Sequence, residues 1–348
     1  MEDFVLFREN FYALVEDSKH IVITAHLSPD DDSIASVMAM HEILTTKYPD
    51  KDIKILYGGE VSERHSVFSN FSKITFVPDI ADHIDTTDLL IALDVANYGR
   101  ISKQPEILQK IPRRIVIDHH ASIPEEFTLS LISTKFSSNA ELIYTALIDN
   151  EDMLTPTLAE SFLLGIVGDT GNFAYVMPGQ TRVFALGGIL VEKVGMSIDK
   201  FRSRYGGIPK KIVPLLQLLV QHMSYASVVG WPDVQYTYLD MSDLQEGSYS
   251  EEDISAAAHI YIGQYLTKVQ GQQWGFVVTP RADGSGKLHC RSLPGSVNVR
   301  DVCERMASGG GHDRAAGGTI AASDTGYDGK EFVEKVLDWM KQNKPLIG

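Results

Sequence analysis

The chain has 348 residues, enough for one large or two ordinary domains, and its 44% hydrophobic and 22% charged residues match a soluble globular protein. Thirty-one basic against 46 acidic residues give a net charge of −15, the opposite of the balance that grips long duplex nucleic acid. No apolar run approaches the roughly 20 residues that span a bilayer, and the N-terminal MEDFVLFREN has acids where a secretory signal has bases, so a cytoplasmic location away from membranes is expected. Cys290 and Cys303 lack the CxxC pairing of zinc or redox sites and read as reduced, packed thiols.

Residues 20–26 (HIVITAH) form a β-branched apolar run that predicts a buried strand, and helical spacing of Ile34, Val37, Met38 and Leu44 predicts a helix over 33–48. Further strands are expected at 52–57, 88–94 and 113–118, and helices at 138–150, 157–167 and 181–194. This alternation predicts an α/β domain over 1–195, a mostly parallel sheet with helices on both faces. Residues 196–229 read as a helical linker broken at Gly206-Gly207-Ile208-Pro209. A smaller α/β domain is expected over 230–348, with strands at 234–239, 274–280 and 287–293. Helices at 251–265, 299–307 and 329–343 and a glycine cluster complete it.

Three predicted strands end in side chains that can ligate a metal: one at His26, one at Asp94, one at Asp118-His119-His120. In a doubly wound sheet, ligands gather outside the carboxyl ends of the strands. Any one of these acids alone reads as a turn former or helix cap; three such strand ends in one domain point to a common crevice. The first is followed by Leu27-Ser-Pro-Asp30-Asp31-Asp32, whose adjacent carboxylates repel unless solvated or bound to cations. A fourth acid, Asp169, stands in a glycine-rich turn after an apolar helix. Mixed imidazole and carboxylate donors suit ions such as Mn²⁺. His26, Asp30, Asp32, Asp94, His119 and Asp169 are too many for one tetrahedral zinc and about right for two ions sharing a carboxylate.

These blocks resemble the DHH phosphoesterase superfamily: His26-Leu-Ser-Pro-Asp30-Asp-Asp32, Leu93-Asp94-Val-Ala-Asn97, Asp118-His119-His120 and Gly168-Asp169-Thr-Gly. Cys290-Arg291-Ser292, Ser308-Gly309-Gly310-Gly311-His312 and Ala315-Ala316-Gly317 resemble the DHH-associated domain. The resemblance implies two divalent ions, Mn²⁺ with Mg²⁺ or Co²⁺ as alternatives. His26 and Asp30 would hold one ion, Asp32, His119 and Asp169 the other, with Asp94 bridging. His120 would face the substrate phosphate, and Asp118 would orient the neighbouring imidazoles. In the second domain, Arg291, Ser292, Gly309, Gly310, Gly311 and His312 would bind substrate. Successive glycines let backbone N–H groups approach an anion, and arginine can fork onto a phosphate. Arg100 is either a further phosphate contact or a solvated charge. Family members often carry glycine where Asp31, Ala35 and Ser308 stand, and Asp31 adds negative charge beside the metals.

The two-domain layout most resembles nanoRNases and pAp phosphatases. It implies hydrolysis of short oligonucleotides (nanoRNA, pApA) or 3′-phosphoadenosine 5′-phosphate by a hydroxide that two metals activate, with a homodimer among the expected assemblies. Within the superfamily, a cyclic-dinucleotide phosphodiesterase and an exopolyphosphatase- or pyrophosphatase-like hydrolase are the alternatives. A metal-dependent nucleotide-binding regulator is the contrasting class.

Overall fold

The apolar runs of the N-terminal half become six strands: β1 (His20–Thr24), β2 (Asp52–Gly58), β3 (Ile74–Val77), β4 (Leu89–Leu93), β5 (Arg113–Asp118) and β6 (Leu129–Ile132). All pairs are parallel, in the order β3-β2-β1-β4-β5-β6. This is a computed structural model that describes residues 4–59, 61, 63–121, 125–245, 247–322 and 328–347; Glu2 and Asp3 of the acidic N-terminal stretch lie outside them. β3 and β6, the two edges, are only four residues long, and no strand was expected there. β4 is the opposite case: Leu89-Leu-Ile-Ala-Leu93 is fully buried, as a central parallel strand covered on both faces should be.

The helices are α1 (Phe4–Glu16), α2 (Asp31–Lys47), α3 (Pro105–Leu108), α4 (Asn139–Leu147), α5 (Pro156–Asp169), α6 (Arg182–Val194) and α7 (Ile198–Ser203). Coverage of the sheet is unequal. Ile21, Ile23, Ile55, Ile91 and Ile117 pack against α1, α2 and α4–α7. The opposite residues, Val22, Leu56, Leu90 and Ala92, meet α3 and short 3₁₀ turns through Ile80, Ile84, Tyr98 and Leu108. Strand order reverses between β1 and β4, so the crevice for a ligand lies outside their carboxyl ends.

The chain divides into two compact units, 1–207 and 208–348. Residues 196–229 fall on both sides of that division: Phe201 of α7 is buried in the first core, and Leu215 and Leu219 in a core of the second. The second unit has strands β7 (Ser224–Ala226), β8 (Val234–Tyr238), β9 (Trp274–Pro280), β10 (Gly286–Ser292), β11 (Ser308–His312) and β12 (Ala315–Ile320). They form one sheet ordered β11-β12-β10-β9-β8-β7, antiparallel except at β8/β9. Its helices are α8 (Val213–Gln221), α9 (Met241–Gln245), α10 (Glu251–Gln264), α11 (Val299–Met306) and α12 (Gly329–Gln342). α8 and α10 pack on the face that carries Val277, and α11 and α12 on the face that carries Phe276 and Leu288. Cys290 and Cys303 are free thiols buried in the latter core. Among the described residues, no helix is long and apolar enough to cross a membrane.

Candidate active site

β1, β4 and β5 deliver their terminal residues to one rim, and α2 begins there. Asp30 caps α2: its carboxylate accepts from the Ser33 N–H (2.8 Å) and the Ser33 hydroxyl accepts from the Asp30 N–H (3.0 Å). That cap aims Asp30 at His26, with Oδ2 3.4 Å from Nε2. Asp94, directly after β4, sits in the left-handed region (φ 59°), a conformation that costs a non-glycine residue energy and clusters at functional sites. Its two oxygens face different partners. Oδ2 lies 3.2 Å from His26 Nε2, and Oδ1 lies 3.5 Å from His119 Nε2 and 3.3 Å from His120 Nδ1. His119 Nε2 also reaches Asp169 at 3.1 Å and Asp32 at 3.8 Å.

Three groups could therefore hold a metal ion, each with ligand atoms within 4.8 Å of one another: His26, Asp30 and Asp94; Asp32, His119 and Asp169; and Asp94, His119 and His120. All six expected ligands are brought together. The residues fit a hard-to-borderline divalent cation. Asp94 Oδ1 and His119 Nε2 are buried without a hydrogen-bond partner among the described residues, which is costly unless something else satisfies them. The electrostatics point the same way. Burial, with Asp169 and Asp94 nearby, pushes the Asp32 carboxyl well above the usual range, and burial with Asp94 and Asp30 raises Asp169. Burial opposes charge on the imidazoles, yet their carboxylate partners raise His26 and His120 to about 10 and His119 to about 9. Positive charge is what the cavity lacks. Asp118 hydrogen-bonds His120 twice, at Nδ1 (2.7 Å) and at the backbone N–H (3.1 Å), so the carboxylate orients that ring. Arg100 is exposed on the turn after β4, and its carbonyl accepts from the Leu27 N–H (2.8 Å), tying the loops after β4 and β1 together.

In the second unit the expected binding residues do not form one loop. Ser308–His312 is an edge strand paired with β12, where a phosphate-cradling loop or flexible turn was expected. A strand edge still presents unpaired backbone N–H groups, but the pleat divides the side chains. Register puts Arg291, Gly310 and His312 on the face of Val277, with Ala315 and Gly317 between them. Ser292 lies on the opposite face, is buried, and has no hydrogen-bond partner for its hydroxyl among the described residues. Gly309 and Gly311 also face away: a Cβ at 309 would come within 2.2 Å of the Gly317 carbonyl, and one at 311 within 2.6 Å of the Ala315 carbonyl. A Cβ at Gly310 would meet nothing within 4 Å. Close strand packing thus explains the outer glycines, and only the middle one leaves open space over Arg291's face.

Residues 20–166 match the DHH family N-terminal domain, and residues 233–342 match the DHHA1 domain. The chain carries a DHH domain followed by a DHHA1 domain. It is 27% identical to the probable bifunctional oligoribonuclease and PAP phosphatase NrnA of Streptococcus mutans, over 85% of this chain and 88% of that one. It is 26% identical to the NrnA of Bacillus subtilis, over 87% and 90%. A 24% match to the cyclic-di-AMP phosphodiesterase GdpP of B. subtilis spans 86% of this chain but 44% of that protein. The fold is shared with an exopolyphosphatase-related protein from Bacteroides fragilis, with a TM-score of 0.82, 97% coverage of each chain and 20% identity.

Within the DHH domain, Asp31 is not the unmet negative charge that was expected beside the metals. Its Oδ1 pairs with Arg64 (2.5 Å) and with buried His65 (2.8 Å). Two positioning features escaped the sequence. Asn139, buried at the start of α4, accepts from the Asp94 N–H (3.1 Å) and the Ser36 hydroxyl (3.1 Å) and donates to the Ile117 carbonyl (3.0 Å). Its own N–H donates to Asp32 Oδ2 (2.6 Å), and the Ala140 N–H donates to Oδ1 (2.9 Å). The signal available was the Ser138-x-x-Glu141 helix start, which marks a boundary but no partner. Gly165 and Gly168 are the second feature. A Cβ at 165 would lie 2.5 Å from Asp32 Oδ1, and one at 168 would lie 2.4 Å from Asp31 Cβ. Both glycines let α5 close on α2 and bring Asp169 to His119.

Proposed function

We propose that this DHH-family phosphoesterase hydrolyses a phosphoester in a short nucleotide substrate: a nanoRNA such as pApA, 3′-phosphoadenosine 5′-phosphate, or both. The observation that carries the proposal is Asp94, whose two carboxylate oxygens face two different clusters of imidazole and carboxylate at the sheet's switch point. The NrnA-named relatives, aligned over most of their own length, support the substrate class.

In the proposed site, His26 and Asp30 hold one divalent ion, Asp32, His119 and Asp169 a second, and Asp94 both. Mn²⁺ is the expected ion, because mixed imidazole and carboxylate donors favour it over soft metals. Such ions supply a water of lowered pKa and neutralise the phosphoryl oxygens. The chain's own residues position and protonate. Asp118 at Nδ1 fixes the His120 ring. Burial opposes charge on His120 and the Asp118 carboxylate favours it, so the ring can donate to the oxygen that leaves. Asn139 and the α5 glycines hold the carboxylates in place. Arg291, Gly310 and His312 of the second unit are proposed to bind substrate, and Arg100 of the first a phosphate oxygen.

A cyclic-dinucleotide reading has one supporting observation, the alignment with GdpP. Product analysis with Mn²⁺ against pAp, pApA, a five-nucleotide RNA, cyclic di-AMP and pyrophosphate separates the readings. AMP from pAp or pApA, absent with Asp94→Ala, is the expected result. Cleavage of cyclic di-AMP alone moves the chain to the cyclic-dinucleotide branch. Nucleotide binding without any product would make it a regulator.

A further inference from the structure

The four carboxylates of the site are not held alike. Asp32 is buried and accepts two backbone N–H groups, from Asn139 (2.6 Å) and Ala140 (2.9 Å). Asp94 is buried, and its own N–H donates to the Ile117 carbonyl (2.9 Å). Asp169 closes α5, which two glycines bring against α2. Asp30, the N-cap of α2, is the most exposed of the four, with 51% of its side chain accessible. One residue, Ser33, grips it at three points. The Ser33 N–H donates to Asp30 Oδ1 (2.8 Å), and Ser33 Oγ accepts from the Asp30 N–H (3.0 Å) and donates to the Asp30 carbonyl (3.3 Å).

That hydroxyl is itself held. Tyr57 Oη donates to Ser33 Oγ (2.8 Å), and both side chains are fully buried. A serine oxygen has two lone pairs and one proton. Here Tyr57 and the Asp30 N–H use the pairs, and the Asp30 carbonyl takes the proton, so the hydroxyl has one orientation. Tyr57 supplies the contact that comes from outside the 30–33 turn. It stands near the end of β2, a strand that brings no ligand to the rim. Its ring packs against Phe76, with centroids 5.5 Å apart, so the phenol has a fixed direction. The end of β2 is also fitted to the loop before Asp30. A Cβ at Gly58 would lie 2.7 Å from Leu27 Cδ2, and one at Gly59, which is left-handed (φ 102°), would run into the Leu27 carbonyl.

We propose that Tyr57 is a positioning residue for the metal site: through Ser33 it holds Asp30 in place for the ion of the His26–Asp30 cluster, and it does not serve the ion at Asp32, His119 and Asp169. The proposal rests on the metal assignment of the phosphoesterase reading and deepens it. β2 then becomes a fourth strand that builds the site, through a hydroxyl rather than a ligand. Partners that orient a ligand typically move metal affinity by about 10–100-fold.

Tyr57→Phe removes one oxygen and keeps the ring, so the core stays filled. In calorimetric titration of the metal-free full chain with Mn²⁺, it should weaken one of two sites about tenfold and leave the other within about twofold. Two backgrounds identify the site. With Asp169→Ala, which removes a ligand of the second cluster, Tyr57→Phe should still weaken the remaining ion. With His26→Ala, which removes a ligand of the first, it should leave the remaining ion as it was. Ser33→Ala should weaken the same site as Tyr57→Phe, and the double variant should lose no more than the larger single loss, because both act through one chain of contacts. In turnover, the Mn²⁺ concentration for half-maximal rate should rise about tenfold in Tyr57→Phe, with the rate at saturating Mn²⁺ within about threefold of wild type, a split that lost packing would not produce. Circular dichroism and thermal melting confirm that each variant is folded. Unchanged Mn²⁺ affinity in folded Tyr57→Phe, or equal losses in the two backgrounds, overturns the positioning role and leaves the phosphoesterase reading standing. A wild type that binds Mn²⁺ but hydrolyses no nucleotide overturns that reading, while the titrations still score Tyr57.

Discussion

The two halves of the molecule present their motifs in opposite ways. In the first unit, residues distant in sequence converge because parallel strands all end on one rim, and the residue after each strand has no choice of face. In the second unit, a contiguous motif is pulled apart because it lies within a strand, where the pleat sends alternate side chains to opposite faces. A ligand set at strand ends can be listed from sequence alone. A ligand set inside a strand must be halved, and register decides which half.

The sharpest way to break the first side of this contrast is Asp94. If its oxygens serve both clusters, Asp94→Asn should lower kcat/KM by about 10³-fold or more, since the groups around it act as a unit. The checks are single-turnover kinetics together with the metal content of the purified variant. A fall below about tenfold with two ions retained would overturn the shared role of Asp94.

Asn139 comes next. Removing a buried amide that bonds Asp94, Ile117 and Ser36 takes the acceptor from the buried Ser36 hydroxyl, while the Ile117 carbonyl keeps the Asp94 N–H (2.9 Å), and the loss costs about 1–3 kcal/mol. Asn139→Ala should therefore lower the melting temperature and also weaken Mn²⁺ binding about 10–100-fold, the usual scale for a residue that orients a metal ligand. Titration calorimetry reads the second effect independently of turnover. Loss of stability with unchanged Mn²⁺ affinity would reduce Asn139 to a packing role.

Legibility followed the same division. The central strands could be read because β-branched and leucine runs bury both faces, and the six residues expected as ligands lie together at the rim. β3 and β6 escaped because runs of four residues, Ile-Thr-Phe-Val and Leu-Ser-Leu-Ile, are too short to show a period. β11 was invisible for another reason: Ser308-Gly-Gly-Gly-His312 has almost no strand propensity, and only its pairing with the glycines of β12 makes it a strand. Asn139 and the glycines of α5 could not be read either, because what each does is a contact with residues far off in sequence. Asp31 looked like surplus charge for the same reason, since its partners Arg64 and His65 lie more than thirty positions away.

The glycines of β11 sharpen the second side of the contrast. Gly309→Ala would drive a methyl group into the Gly317 carbonyl, a contact of 2.2 Å with backbone that has nowhere to move. It should cost about 1–3 kcal/mol as an overpacked site. Gly310→Ala has room and should change stability by less than about 0.5 kcal/mol, while raising KM because its methyl group enters the face of Arg291. Equal melting temperatures for the two variants would contradict the register.

The smallest expected effect decides most about the motif Cys290-Arg291-Ser292. As a contiguous run it invites the view that Arg291 and Ser292 touch substrate together, but the Ser292 side chain is on the buried side of β10. A buried hydroxyl with no partner among the described residues loses nothing when removed, so Ser292→Ala should leave KM as it is and shift stability by no more than about 0.5 kcal/mol, upward if at all. Arg291→Ala, one residue earlier, should raise KM for every nucleotide tested. Adjacent positions with opposite outcomes would establish that the pleat, rather than the motif, selects the binding residues. A parallel rise in KM for Ser292→Ala would contradict the register that turns the hydroxyl to the buried side of β10.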